Sequence, residues 1–114
     1  MLLFKKRFLP AIRDGRKTQT IRLWKHRRMR AGQRSYIPGA GCIRVSAVDE
    51  VELETLTDED ARPDGFDSAE SLRAELANLY PKQLADGHRA YRVVFELLPP
   101  DQQKKAHGTG KGSE

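Results

Sequence analysis

Apolar and polar positions alternate most regularly between residues 43 and 53. Ile43, Val45, Ala47, Val51 and Leu53 hold odd positions with Asp49 the polar exception, and Arg44, Ser46, Val48, Glu50 and Glu52 stand between them, Val48 being the apolar exception. Side chains of a strand point to opposite faces with a period of two, so this segment predicts a long strand with one buried face. Residues 89–97 repeat the pattern, with Tyr91, Val93, Phe95 and Leu97 set against Arg89, Arg92 and Glu96, and predict a closing strand. Ser35-Tyr36-Ile37 after Gly32 predicts a short strand, and residues 1–6 a short edge strand. Between them, Thr18, Thr20 and Ile21 favour extended backbone, so residues 15–22 read as a loop running into a strand.

Helical spacing appears elsewhere. Phe8, Leu9 and Ile12 predict a short helix over 8–14, with Pro10 in its first turn and Gly15 as its stop. Thr57-Asp58-Glu59-Asp60 has capping-box spacing and opens a short acidic helix. Asp67 is the expected cap of a second helix, with Glu70 three residues on, Leu72, Leu76 and Leu79 along one face, and Pro81 as its end. From Pro99 the chain is too polar to bury anything, and residues 99–114 are expected to form a disordered tail. Strands at both ends with helices clustered between them give an α+β domain over 1–98, and a small, partly closed barrel would protect its edges.

At 114 residues, 38% hydrophobic and 32% charged, the chain is sized for one domain with its own core. No apolar run exceeds four residues, which argues against a membrane span, and the early turn to Lys5, Lys6 and Arg7 does not read as a secretory signal. With Cys42 the one cysteine, an internal disulfide and a cysteine-cluster metal site are excluded, and the expected compartment is the cytoplasm. His26, His88 and His107 lack metal-ligand spacing, and no cofactor is implied.

The net charge of +5 hides an asymmetry: residues 1–44 carry +12, residues 45–75 carry −9, and the remainder +2. The halves could neutralise each other as surface ion pairs, or the basic part could meet a polyanion. The densest basic run is Lys25-His26-Arg27-Arg28-Met29-Arg30, with Arg22 and Arg34 beside it, and Trp24 and Tyr36 could add stacking on unpaired bases.

Candidate chemistry concentrates in Gly15-Arg16-Lys17-Thr18-Gln19-Thr20-Ile21-Arg22. A threonine hydroxyl becomes a nucleophile once a base takes its proton, and a lysine serves as that base when burial and neighbouring cations lower its pKa. In a regular strand Lys17 and Thr20 would face opposite ways, so they converge only if the backbone turns between them.

This run, preceded by Phe8 and Ile12, resembles the ASCH domain, a PUA-like β-barrel family. The likeness continues through Gly32, Val51-Glu52-Leu53, Leu56-Thr57-Asp58-Glu59-Asp60-Ala61, Asp64-Gly65-Phe66, Tyr80-Pro81 and Val93-Val94-Phe95-Glu96-Leu97, over about residues 3–98. The resemblance implies a barrel of five to six strands with helices at one side, and a cleft connected with RNA or modified nucleosides. Some similar bacterial members remove the acetyl group from acetylcytidine with a lysine, a threonine nucleophile and a glutamate proton donor. By motif position these fall on Lys17, Thr20 and Asp64. Aspartate is one methylene shorter than the family's glutamate, which leaves Glu59 as an alternative donor.

The first expectation is therefore an RNA-binding domain, with a nucleotide beside Lys17, Thr20 and Arg22 and with Arg16, Trp24, Lys25, Arg27, Arg28 and Arg30 along the RNA. The second is a hydrolase, acting on acetylcytidine or cleaving RNA through Lys17, Thr20 and a carboxylate. A protein partner for the acidic helices has charge alone in its favour.

Overall fold

The computed structural model describes residues 1–103. Its centre is a curled sheet of four antiparallel strands: β1 (Gln19–Trp24), β2 (Arg34–Ile37), β3 (Gly41–Val51) and β4 (Arg89–Leu97), in the order β1-β4-β3-β2. The helices are α1 (Leu9–Arg13), α2 (Asp58–Ala61), α3 (Ala69–Leu79) and α4 (Pro81–Ala85). The fold is α+β as the patterning indicates, but the sheet is a half-barrel and does not close. Four strands are present where five or six were expected. The missing strand is the N-terminal one: residues 1–5 form no strand, and residues 6–8 make a 3₁₀ turn. Leu2 N–H still reaches Tyr36 O at 2.9 Å, so the segment lies beside β2 without pairing along it.

β3 begins and ends two residues earlier than its alternation suggests, because Leu53 enters a 3₁₀ turn. Its register against β4 shifts between Val45 and Ala47, a bulge that bends the strand and helps the sheet curl. β4 keeps the predicted limits. Its register places Val93 opposite Thr20 on one side and Val48 on the other, so it is one of the two interior strands of the sheet.

Two apolar clusters result from the two faces of β1 and β4. One contains Leu2, Ile12, Met29, Ile37, Ile43, Val45, Val93 and Phe95, under the N-terminal segment and α1. The other packs Ile21, Leu23 and Ala90 against Leu56, Ala61, Ala69, Leu72 and Leu76 of the helical region. The capping box of α2 forms as expected, with Asp60 N–H donating to Thr57 Oγ1 and Thr57 N–H to Asp60 Oδ2. The cap of α3 is Ser68, not Asp67: its hydroxyl accepts from Ser71 N–H at 3.1 Å. Pro81 ends α3 but opens α4 immediately, as its fixed φ suits a first helical position.

The segment expected to be a tail is ordered in its described part. Residues 100–103 make a turn of helix, and the Gln103 side-chain amide accepts from Cys42 N–H at 2.6 Å and donates to Cys42 O and Leu98 O. An amide side chain reproduces a peptide group here, which polarity alone does not reveal. Residues 104–114, where the rest of the expected tail falls, lie outside the described residues. Among the described residues, no helix is long and apolar enough to cross a membrane.

Ile43 is fully buried in the first cluster, whereas Leu3 is 62% exposed. Ile43→Ala is expected to lower the unfolding free energy by about 2–5 kcal/mol, and Leu3→Ala by no more than about 0.5 kcal/mol, in urea titrations followed by circular dichroism.

Candidate functional site

β1 begins at Gln19, so Lys17 lies outside the strand and the parity objection to its convergence with Thr20 does not apply. The loop is fixed from both sides. Arg16 and Lys17 donate their N–H groups to Ala11 O at the end of α1, and Thr18 donates to Pro63 O at 2.8 Å. Pro63 belongs to a 3₁₀ turn, Arg62–Asp64, which closes on Gly65 at φ +94°, a left-handed conformation that glycine adopts without strain. These constraints bring Lys17 and Asp64, distant in sequence, into one buried ion pair.

Lys17 Nζ donates to Asp64 Oδ1 at 2.7 Å and to Asp64 O, and both side chains are 3% exposed. Gln19 holds the other carboxylate oxygen, its Nε2 standing 3.3 Å from Asp64 Oδ2 and 3.0 Å from Asp60 O. The ammonium also sits among three rings, 5.6 Å from Phe4, 5.2 Å from Phe8 and 5.8 Å from Phe66, within cation–π range. Burial lowers the Lys17 pKa, the Asp64 charge and hydrogen bond oppose that, and Arg22 adds to the lowering.

Thr20 and Arg22 share the inward face of β1. Arg22 Nε donates to Thr20 Oγ1 at 3.2 Å, and its Nη2 donates to Leu3 O. Burial likewise lowers the Arg22 pKa. Lys17, Thr20, Arg22 and Asp64 all line one cavity of about 60 Å3, walled by Phe4, Phe8, Phe66, Leu72, Leu76 and Leu79. All four are residues expected at the site, and Asp64 does reach the cleft.

Other expected site residues lie elsewhere. Glu59 is exposed on α2 and does not line the cavity, so it is not the second carboxylate of the cleft. That place belongs to Glu75 of α3, which lines the cavity and is ion-paired with Arg7. Glu75 falls three residues after Leu72 and four before Leu79, so a charge on the apolar face of α3 was the available signal. Arg16 is exposed and paired with Asp14 at 2.8 Å, outside the cleft.

The basic run forms an exposed loop anchored by buried Met29. Lys25, Arg28 and Arg30 have no ion-pair partner among the described residues, so the acidic middle of the chain does not neutralise this loop. Arg27 is held by Val48 O and lies 5.6 Å over the Tyr91 ring. Trp24 is half-buried with its ring 5.5 Å from that of Tyr91, so part of its surface is already used in packing. Concave surfaces connect cleft and loop: Leu3 and Arg22 line both the cleft and a groove reaching Trp24 and Arg28, and those two residues line a further hollow with Lys25, His26 and His88. Among the described residues, no three of His, Cys, Asp or Glu gather where they could hold a metal ion.

No protein-family model matches the sequence, and no curated protein matches it significantly. Solved structures do. The chain is similar to protein EF3133 of Enterococcus faecalis V583, assigned to the family model DUF984, at 20% identity and a TM-score of 0.64, over 81% of this chain and 70% of that one. It is also similar to hypothetical protein PH0355, at 16% identity and a TM-score of 0.70, over 84% of this chain and 95% of that one. At these identities the likeness establishes the fold alone.

Asp64→Asn leaves a buried ammonium without its counter-charge and is expected to cost about 3–5 kcal/mol of stability at neutral pH, read in urea. The pH dependence has a definite sign. Below the lowered folded-state pKa of Lys17 both states hold the proton, and the cost of burying the charge is fully present. Between that value and the ordinary 10.5, the unfolded chain binds the proton and the folded one does not, so the Lys17 contribution to stability rises with pH. Lys17→Met should remove this alkaline rise from the difference between the two proteins' stability curves.

Proposed function

We propose that the cleft is a hydrolytic site for an N-acylated cytosine nucleoside, with Lys17 as base, Thr20 as nucleophile and Asp64 as proton donor. The observation that carries this reading is the convergence of Lys17, Thr20, Asp64 and Arg22 on one small cavity with apolar walls. A pocket with a few convergent polar groups and a pKa-shifted lysine is the arrangement expected of acid–base chemistry. The resemblance of the glycine-to-arginine run to the ASCH amidohydrolases supplies the substrate class.

The 2.7 Å hydrogen bond between Lys17 and Asp64 gives the reaction its proton path. Transfer of one proton along it leaves a neutral amine and a carboxylic acid, the base and the acid that amide hydrolysis requires. The amine removes the Thr20 hydroxyl proton as Oγ1 attacks the acyl carbon. Asp64 then protonates the departing cytosine nitrogen, and water releases the acyl group from Thr20 as a carboxylic acid. Gln19 keeps the Asp64 carboxyl oriented. The small, ring-walled opening suits an acyl group and the edge of one base, and excludes a duplex.

Incubation of the protein with acetylcytidine is expected to release cytidine and acetate, followed by chromatography. Thr20→Ala should abolish turnover and Lys17→Met should lower kcat by about 10²–10⁴-fold. The pair supplies both base and acid only while it holds one proton, so the rate should fall as pH rises through the lowered Lys17 pKa. Absence of turnover, or full activity in Thr20→Ala, would refute the assignment.

A second reading, an RNA-recognition domain, is favoured by the unneutralised loop of Lys25, Arg28 and Arg30 leading to the cleft. Its affinity for single-stranded RNA should fall steeply with salt. Replacing those three residues with alanine should flatten the slope of log affinity against log salt by about 2, since each phosphate contact on a single strand contributes about 0.7. RNA cleavage in the same assay without acetylcytidine turnover would make the cleft a ribonuclease.

A further inference from the structure

We infer that Arg22 is the oxyanion-stabilising group of the cleft, its free guanidinium N–H groups receiving the negative charge that forms on a carbonyl oxygen attacked by Thr20. This rests on the hydrolytic reading above and reassigns Arg22 from phosphate contact to chemistry.

Arg22 is placed against the reacting atom, with Nε donating to Thr20 Oγ1 at 3.2 Å. Its Nη2 donates to Leu3 O, and its guanidinium stacks 4.7 Å over the Phe4 ring, so the side chain is held in place. A guanidinium has five N–H donors, and these two bonds leave others free toward the cavity. Among the described residues no carboxylate lies within ion-pairing distance of Arg22. A fixed cation without a counter-ion, beside a nucleophile, is suited to a charge that exists only during reaction.

The competing donors are occupied. Lys17 is committed to Asp64. Four backbone N–H groups beside the pocket are also spent: Lys17 on Ala11 O, Thr18 on Pro63 O, Gly65 on Arg62 O and Phe66 on Ala61 O. These amides therefore cannot build the backbone oxyanion hole found in many acyl-transfer sites.

The step balances with water as the co-reactant. The Thr20 Oγ1–C bond forms, the carbonyl π pair moves to oxygen beside Arg22, and the hydroxyl proton goes to Lys17. Collapse restores the carbonyl and breaks the C–N bond, with the nitrogen taking a proton from Asp64. Water then adds to the acyl-threonine ester, giving a proton to the Asp64 carboxylate as the same oxygen is charged a second time. Collapse breaks the Oγ1–C bond, Thr20 Oγ1 takes its proton back from Lys17, and the acyl group leaves as a carboxylic acid.

The experiment compares wild type, Arg22→Gln and Arg22→Lys, each checked by circular dichroism, with acetylcytidine as substrate and with cytidine and methylboronic acid as binding probes. Boron becomes tetrahedral and anionic when captured by a threonine hydroxyl, so methylboronic acid reports on oxyanion stabilisation whichever acyl substrate is correct. Arg22→Gln is expected to lower kcat by about 10²–10³-fold with little change in KM. It should weaken methylboronic acid by a similar factor while leaving cytidine affinity unchanged, and Arg22→Lys should recover part of both losses. Wild-type turnover with full kcat retained in Arg22→Gln would overturn the inference and leave the proposed function standing. So would an equal loss of cytidine and methylboronic acid binding, which marks a merely structural role. A wild type inert toward acetylcytidine that binds methylboronic acid only with Arg22 present would refute the proposed substrate and uphold the inference.

Discussion

Taking an ammonium and a carboxylate out of water costs several kcal/mol per ion, and the Lys17–Asp64 pair is arranged to recover that cost. Lys17 gains two hydrogen bonds from Asp64 and three surrounding rings, and Asp64 gains a further donor from Gln19. Each partner comes from a segment whose backbone is fixed independently, Lys17 by Ala11 O and Asp64 by the turn that accepts Thr18 N–H. The pair thereby ties the first helix, the start of β1 and the segment after α2 into one unit. It also fixes which side chains share the cleft, because the strand that begins at Gln19 brings Thr20 and Arg22 to the same cavity.

β1 is an edge strand of the half-barrel, yet Gln19, Thr20 and Ile21 are buried in succession. Alternation normally separates a core face from a solvent face. Here it separates two interiors: Ile21 and Leu23 pack against α3 and its neighbours, while Thr20 and Arg22 face the N-terminal rings across the cavity. An open sheet makes this arrangement available. The N-terminal segment and α3 supply walls of the cleft against this strand.

The elements legible in the sequence were those set by local chemistry. The alternation of β4, the Thr57–Asp60 capping box and the glycine-to-arginine run each required only near neighbours in the chain, and each has the limits or contacts that its residues dictate. The errors came where distant segments compete for the same residue. Met1–Phe4 has strand-like composition, but Phe4 is drawn over Lys17 and Arg22 instead of into a ladder. Asp67 and Ser68 are both acceptable caps, and the choice falls to Ser68, whose successor's N–H, that of Ala69, is taken by Asp58 from α2. Gln103 looked like tail because its polarity is that of solvent-exposed residues, yet the ladder position it fills beside Cys42 needs a donor and an acceptor on one group. Within the site, Lys17, Thr20 and Asp64 were legible through motif position. Glu75 was not, since only the packing of α3 turns that carboxylate toward the cavity.

The cleft holds two buried cations of different kinds, and the difference bears on what each can do. Lys17 is compensated: its charge is matched by Asp64, and movement of one proton between them changes no net charge in the cavity. Such a pair can serve as base and acid in turn because neither state requires a new counter-ion from solvent. Arg22 makes no ion pair among the described residues, although the Asp64 charge acts on it across the cavity. Glu75 would be the obvious partner within the pocket, but its charge is taken by Arg7. Arg22 is thereby left without an ion-pair partner among the described residues, held against Thr20 Oγ1. On the proposed hydrolytic reading, a neutral substrate would enter at little electrostatic cost, and the favourable interaction would grow only as negative charge develops next to the threonine. That difference between ground state and transition state is what a catalytic site needs and what a simple phosphate-binding site, which would attract its ligand fully from the start, does not provide.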